Sequence, residues 1–198
     1  MIAQATVEIL LRGGVVAYPT NTLPGLATLP TDEGLDALFH IKQRSNDKPV
    51  SLGVLSLDQA STLVSVPDDV RNLEAAFPQG ALTFILEAHE RMDERLGGTH
   101  VAVRCLAHPQ ARALVRAMGP ITATSANESG ETPARDAQSA GESLGLTSEA
   151  IISGNCPGGT GSTIVKISAN ESHGLVVTVM REGVIPAHDV VEWWKNRN

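Results

Sequence analysis

Cysteine is scarce in this 198-residue chain. Cys105 and Cys156 are the only two, far apart and outside any CxxC pair, which excludes a disulfide framework and a thiolate metal site and leaves two reduced, partly buried thiols as the expectation. Aromatic residues make up 3%, too few for the stacking platforms of single-strand nucleic-acid binders. No apolar run approaches the roughly 18 residues of a membrane helix. The opening "MIAQATVEILLRGG" lacks the basic n-region of a signal peptide, so a soluble, cytoplasmic protein with no membrane partner is expected. Positive charge is also short: 15 Lys and Arg stand against 22 Asp and Glu, a net charge of −7. That balance excludes a protein whose whole surface grips nucleic acid, and leaves room for a local cationic pocket.

Several catalytic signatures are missing as well. The chain has neither GxxxxGK[ST] nor GxGxxG, and no HExxH, so no metal site is expected. His40, His89, His100, His108, His173 and His188 show no metal-binding spacing and read as surface or capping residues.

The length suits one domain, residues 1–198. Helical periodicity or capping signals mark 3–12, 31–44, a short helix after Ser56, 67–77, 109–118, 134–145 and 187–197. Strand patterns mark 15–19, 49–57, 81–88, 100–105, 121–125, 150–153, 162–167 and 175–183. Alternation of the two indicates an α/β domain, and strands that follow one another without a helix make its sheet mixed parallel and antiparallel. Trp193 and Trp194 on the last helix read as packing against the sheet.

Four polar segments flank buried strands: "PTNT", "KQRSNDKP", "TSANESG" and "GGTGST". Ligands of open α/β sheets sit at strand ends, so these loops are expected to converge on one crevice. Lys42 follows the apolar stripe of Leu35, Leu38 and Phe39 and leaves its helix on the inner side. It either snorkels and satisfies helix C-terminal carbonyls, or joins Arg44 and Lys48 in an anion site. "TSAN" reads as a turn or as a set of uncharged donors and acceptors, and the glycines before Ser162 read as a loop able to wrap a phosphate.

Seven blocks in this order resemble the YrdC-type threonylcarbamoyl-adenylate synthase family: "GGVVAYPTNTLPGLA", "IKQR…KP", "FPQGALTFIL", "VAVRCLAHP", "TSANESG", "GSTIVKI" and "MREGVI". The resemblance is to its short, single-domain form and runs from about residue 8 to residue 186. It implies a twisted mixed sheet with flanking helices around a concave cleft. It also implies an enzyme, a nucleotidyltransferase that combines L-threonine, bicarbonate and ATP into L-threonylcarbamoyl-AMP and pyrophosphate. The product passes to a separate tRNA threonylcarbamoyl transferase complex, which modifies the adenosine next to the anticodon. By this resemblance Lys42 and Arg44 are the catalytic, phosphate-facing pair, and Ser125, Asn127, Ser162 and Arg181 complete the nucleotide site. Thr20, Thr22 and Arg104 fall at the threonine, and Mg²⁺ is carried by the phosphates rather than by protein ligands.

The chain departs from the family pattern at Asn21, where the family has an acid, and at Pro24, where it has an aromatic ring. These departures support an alternative: a paralogue that binds nucleotide, or RNA weakly, with altered substrate or no synthase activity.

Overall fold

A computed structural model describes residues 2–132, 134–170 and 174–197. His173 and Pro133 of the "ANESGETPA" loop lie outside the described residues. The helices are α1 (Gln4–Leu11), α2 (Asp32–Ile41), α3 (Leu57–Ala60), α4 (Asp68–Ala76), α5 (Pro109–Met118), α6 (Ala137–Ser143) and α7 (Ala187–Asn196). The strands are β1 (Val16–Tyr18), β2 (Gly25–Ala27), β3 (Ser51–Val54), β4 (Leu82–Glu87), β5 (His100–Cys105), β6 (Ile121–Ser125), β7 (Thr163–Asn170) and β8 (Gly174–Arg181). They form one eight-stranded sheet in the order β1-β2-β6-β3-β5-β4-β7-β8. β3 with β5 and β4 with β7 are parallel, and the other neighbours are antiparallel. The sheet is mixed, as the strand succession indicates.

Local chemistry sets the helix starts. Thr31 accepts the Gly34 N–H at the head of α2, where Asp32 and Glu33 also meet the positive end of the helix dipole. Ser56 caps α3 by accepting the Gln59 N–H, but the Gln59 side chain reaches back to the Leu55 N–H rather than to that of Ser56. Pro109 opens α5, capped by His108.

Two expectations are corrected. Residues 150–153 form no strand: a short 3₁₀ turn, Ser148–Ala150, is followed by a single bridge from Ile151 to Ala17. Conversely, β2 lies inside the apparent loop after β1, and the two form a hairpin with Tyr18 opposite Gly25. Three residues, Gly25–Ala27, directly after Pro24 are too short and too close to turn formers to show a strand period.

Period-two alternation divides the sheet into two faces. Ala17, Leu26, Leu52, Phe84, Val103 and Val165 enter the larger core, where α2, α3, α4 and α7 cover them. Trp194 is buried there and Trp193 packs beside it. Val16, Tyr18, Ala27 and Ile121 point the other way, into a smaller core with Leu10 of α1 and Ala111, Leu114 and Val115 of α5. Along this second face, strand register also places Gly25, Ser125, Ser51, Arg104, Ile164 and Arg181. Part of the face is therefore polar, and there the pocket lies.

Gly25 is fixed by a close approach. A Cβ at this position would sit 2.7 Å from the ring of Tyr18, which is fully buried. Gly25→Ala is expected to cost about 1–3 kcal/mol through overpacking, read as a lowered denaturation midpoint with an unchanged denaturant slope.

A cationic pocket on the second face of the sheet

The pocket gathers all four polar segments. The β1–β2 turn supplies Thr20 and Thr22, and the segment after α2 supplies Arg44 and Pro49. The end of β6 supplies Thr124 and Ser125, and the glycine-rich loop before β7 supplies Gly161 and Ser162. Arg104 of β5 and Arg181 of β8 complete the cationic lining, with Leu23, Pro24, Val50 and Ile164 as its apolar part. The Gly158 N–H donates to the Thr22 carbonyl at 2.9 Å and the Thr20 N–H to Cys156 Sγ at 3.4 Å, tying the glycine-rich loop to the threonine turn.

Seven of the nine candidate residues line this pocket: Thr20, Thr22, Arg44, Arg104, Ser125, Ser162 and Arg181. Two are placed differently. Lys42 is 1% exposed and lies behind the wall, its ammonium on the carbonyls of Ser125 and Asn127. Burial, and secondly the charge of Arg44, push it down to about 8. Asn127 turns its amide onto the Glu128 and Glu131 carbonyls at 2.7 and 2.8 Å, away from the cavity.

The three guanidiniums are held by neutral acceptors. Arg44 donates through Nε to the Lys48 carbonyl at 2.6 Å and through Nη2 to that of Pro49 at 3.0 Å. Arg104 donates through Nε to the Gly80 carbonyl at 2.9 Å, and through Nη2 to Thr22 Oγ1 at 2.9 Å and Asn21 Oδ1 at 3.2 Å. Arg181 donates through Nη2 to the Ser162 carbonyl at 2.9 Å. Among the described residues none of the three forms a salt bridge, and each leaves Nη1 without a protein acceptor. Arg95 shows the contrast: on the far side of α2 it is neutralised by Asp32, Asp36 and Asp93.

Burial lowers the pKa of all three pocket arginines, and Arg181 lowers those of Arg44 and Arg104 further. They remain charged at any working pH because an arginine starts so high. Arg104 is buried, at 9% exposure, Arg44 is half-buried and Arg181 is exposed at the pocket's edge; gathering these charges without an acid in the pocket is costly, and an anion relieves that cost. The hydroxyls are preset too: Thr20 Oγ1 donates to the Leu23 carbonyl at 2.6 Å while accepting the Thr22 N–H at 3.0 Å, and Thr83 and Ser162 share a bond of 2.7 Å. Among the described residues no Asp, Glu, His or Cys side chain lines the pocket and no metal-binding cluster occurs. A divalent cation fits here only with oxygens brought by a ligand.

Glu74 and Gly80 carry no motif signal, yet both bear on the site. Gly80, at φ +78°, packs against Asn21 and supports Arg104, and a Cβ there would lie 2.8 Å from Asn21 Oδ1. Glu74 faces Arg104 from outside the pocket, with both carboxylate oxygens buried and only long or poorly aligned approaches from the Gly80 N–H and the Cys105 thiol. Burial raises it to about 7, against smaller lowering effects of the Gly80 N–H, the Cys105 thiol and the Arg104 charge.

Against this geometry, a family model described as Telomere recombination, covering the Sua5, YciO and YrdC proteins, matches residues 8–183. The chain belongs to the Sua5/YciO/YrdC family. A Threonylcarbamoyl-AMP synthase of Aliivibrio fischeri is 32% identical over 168 residues, 81% of this chain and 90% of that protein. One of Stenotrophomonas maltophilia is 38% identical over 138 residues, covering 66% and 74%. The crystal structure of P. abyssi Sua5 complexed with L-threonine superposes with a TM-score of 0.79 at 27% identity over 93% of this chain. The chain spans 55% of that Sua5's length. E. coli YciO superposes with a TM-score of 0.70 at 25% identity, covering 91% and 88% of the two chains.

The Glu74 shift has a measurable consequence. Its carboxyl keeps its proton to higher pH in the fold than in the unfolded chain, so its contribution falls as pH rises from about 4.5 to about 7 and stays low above that. Glu74→Gln is therefore expected to stabilise the protein at pH 8 by about 1–3 kcal/mol relative to its effect at pH 4, measured by denaturant unfolding at the two pH values.

Proposed function

We propose that this protein is an L-threonylcarbamoyl-AMP synthase: it joins L-threonine, bicarbonate and ATP and releases pyrophosphate. The observation that carries this reading is the set of three guanidiniums around a hydroxyl-rich pocket in which, among the described residues, each Nη1 lacks an acceptor and no carboxylate takes part. The site suits a ligand with several negative charges, which a nucleoside triphosphate and an amino-acid carboxylate together provide. The names of the relatives and the threonine bound by P. abyssi Sua5 support the same reading.

In this mechanism Arg104 and the Thr20–Thr22 turn take the threonine carboxylate and hydroxyl. Arg44, Arg181, Ser125 and Ser162 take the phosphates. The threonine amine adds to bicarbonate with loss of water, giving a carbamate. A carbamate oxygen attacks the α-phosphorus, forming a P–O bond as the bond to the pyrophosphate leaving group breaks. No side-chain nucleophile is required. The protein contributes alignment and neutralisation of charge on the phosphoryl oxygens. Mg²⁺, carried on the phosphates, would add charge neutralisation there, and a separate transferase complex would take the product to tRNA.

Purified protein given ATP, Mg²⁺, bicarbonate and threonine is expected to release pyrophosphate only when threonine is present. ATP binding without such turnover, under conditions that support a known synthase, would favour the binding paralogue suggested by Asn21 and Pro24. Arg104→Lys loses the guanidinium fork and is expected to lower kcat/KM for threonine by about 2–4 kcal/mol in transition-state terms. Steady-state rates at varied threonine check this, and a variant matching wild type would remove Arg104 from the site.

A further inference from the structure

Lys42 lies behind the pocket rather than in its lining; Lys48 is also outside the lining, and only its carbonyl takes part, by holding Arg44. Lys42 caps the C-terminus of α2, and its Nζ donates to the Ser125 carbonyl at 2.5 Å and the Asn127 carbonyl at 2.6 Å. The connection is reciprocal, because the Ser129 N–H donates to the Lys42 carbonyl at 2.9 Å. Gln43 follows in the left-handed region, at φ +47°, and its Nε2 donates to Glu128 Oε2 at 2.9 Å. Two successive residues after α2 thus clamp the segment 125–129 from behind. On the other side of that segment, Ser125 lines the pocket, and its hydroxyl makes no hydrogen bond within the described residues.

An ammonium seated on two carbonyls is a strong tie, since charge-assisted bonds are roughly twice as strong as neutral ones. Without it the Asn127 carbonyl would lose its hydrogen bond, and that of Ser125 would keep the Asn127 N–H at 3.1 Å.

We propose that Lys42 is a positioning residue: its ammonium fixes the backbone of the Ser125–Asn127 turn, presenting the Ser125 hydroxyl to the bound phosphate, and does not itself touch the ligand. This deepens the proposed nucleotide site and rests on that reading for the identity of the ligand. Arg44 is the cation beside Lys42; on the turn, Glu128 is engaged by Gln43 and Glu131 offers its carbonyl to Asn127. Loss of the Lys42 proton, near pH 8, therefore weakens the tie to the turn.

The test compares wild type with Lys42→Met in two measurements. In ligand-free protein, amide hydrogen exchange across 121–131 is expected to rise at least about tenfold in the variant, with the other segments unchanged. Unchanged exchange in that segment would overturn the proposal. In calorimetry, the affinities for ATP and AMP are expected to fall by the same factor. A loss confined to ATP would instead mark direct contact with the outer phosphates and overturn it. If Lys42→Met does not fold, Lys42→Gln, which keeps an amide donor but no charge, takes its place in the exchange experiment, and unchanged exchange across 121–131 would overturn the proposal. Failure of wild type to bind ATP would defeat the nucleotide reading, while the exchange experiment would still decide what Lys42 does to the turn.

Discussion

The constraint on which the site depends is that, among the described residues, no carboxylate enters the pocket where the Arg44, Arg104 and Arg181 guanidiniums meet; Glu74 faces Arg104 only from outside it. The chain carries a net charge of −7, so Arg44, Arg104 and Arg181 would be neutralised if acids were free to approach them. They are instead fixed by carbonyls, a hydroxyl and the Asn21 amide. Neutral acceptors orient a guanidinium without cancelling its charge, and the cost of the unpaired cations is recovered when an anion arrives. Arg95, with three aspartates around it, shows the structural use of the same side chain in the same protein.

The sheet makes that arrangement possible. Its larger core covers one face with helices, leaving β8 partly exposed, while α1 and α5 cover only part of the other. Strands from distant parts of the chain then deliver single residues to the uncovered part: Arg104 from β5, Ser125 from β6, Arg181 from β8. Tight backbone sites hold them in place. Gly25 lets the hairpin close over Tyr18, and Gly80 brings its carbonyl under Arg104. A side chain at either glycine would displace what it supports.

Much of this was legible in the sequence because local signals and tertiary packing agreed. Thr31, Ser56 and Pro109 mark helix starts by capping chemistry, and the apolar runs at 82–87, 100–105 and 163–167 mark buried strands. The convergence of four polar loops followed from their positions beside strands. The elements misread were those whose period is too short to register: β2 inside a proline- and glycine-containing loop, and Ile151, whose apolar neighbours suggested a strand where the chain makes one bridge. Lys42 illustrates a different limit. Helical spacing placed it on the inner face of α2, but spacing cannot say whether an ammonium meets a ligand or a carbonyl. Glu74 was invisible because its effect on Arg104 arises only when α4 packs beside β5.

The central claim is that the three uncompensated guanidiniums are where the polyanionic substrate binds. The most direct measurement is an ATP titration followed by NMR of the arginine Nε–H groups. The account predicts that the signals of Arg44, Arg104 and Arg181 shift and saturate together while that of Arg95, already paired, stays in place. Binding of ATP that leaves those three signals unmoved would contradict it.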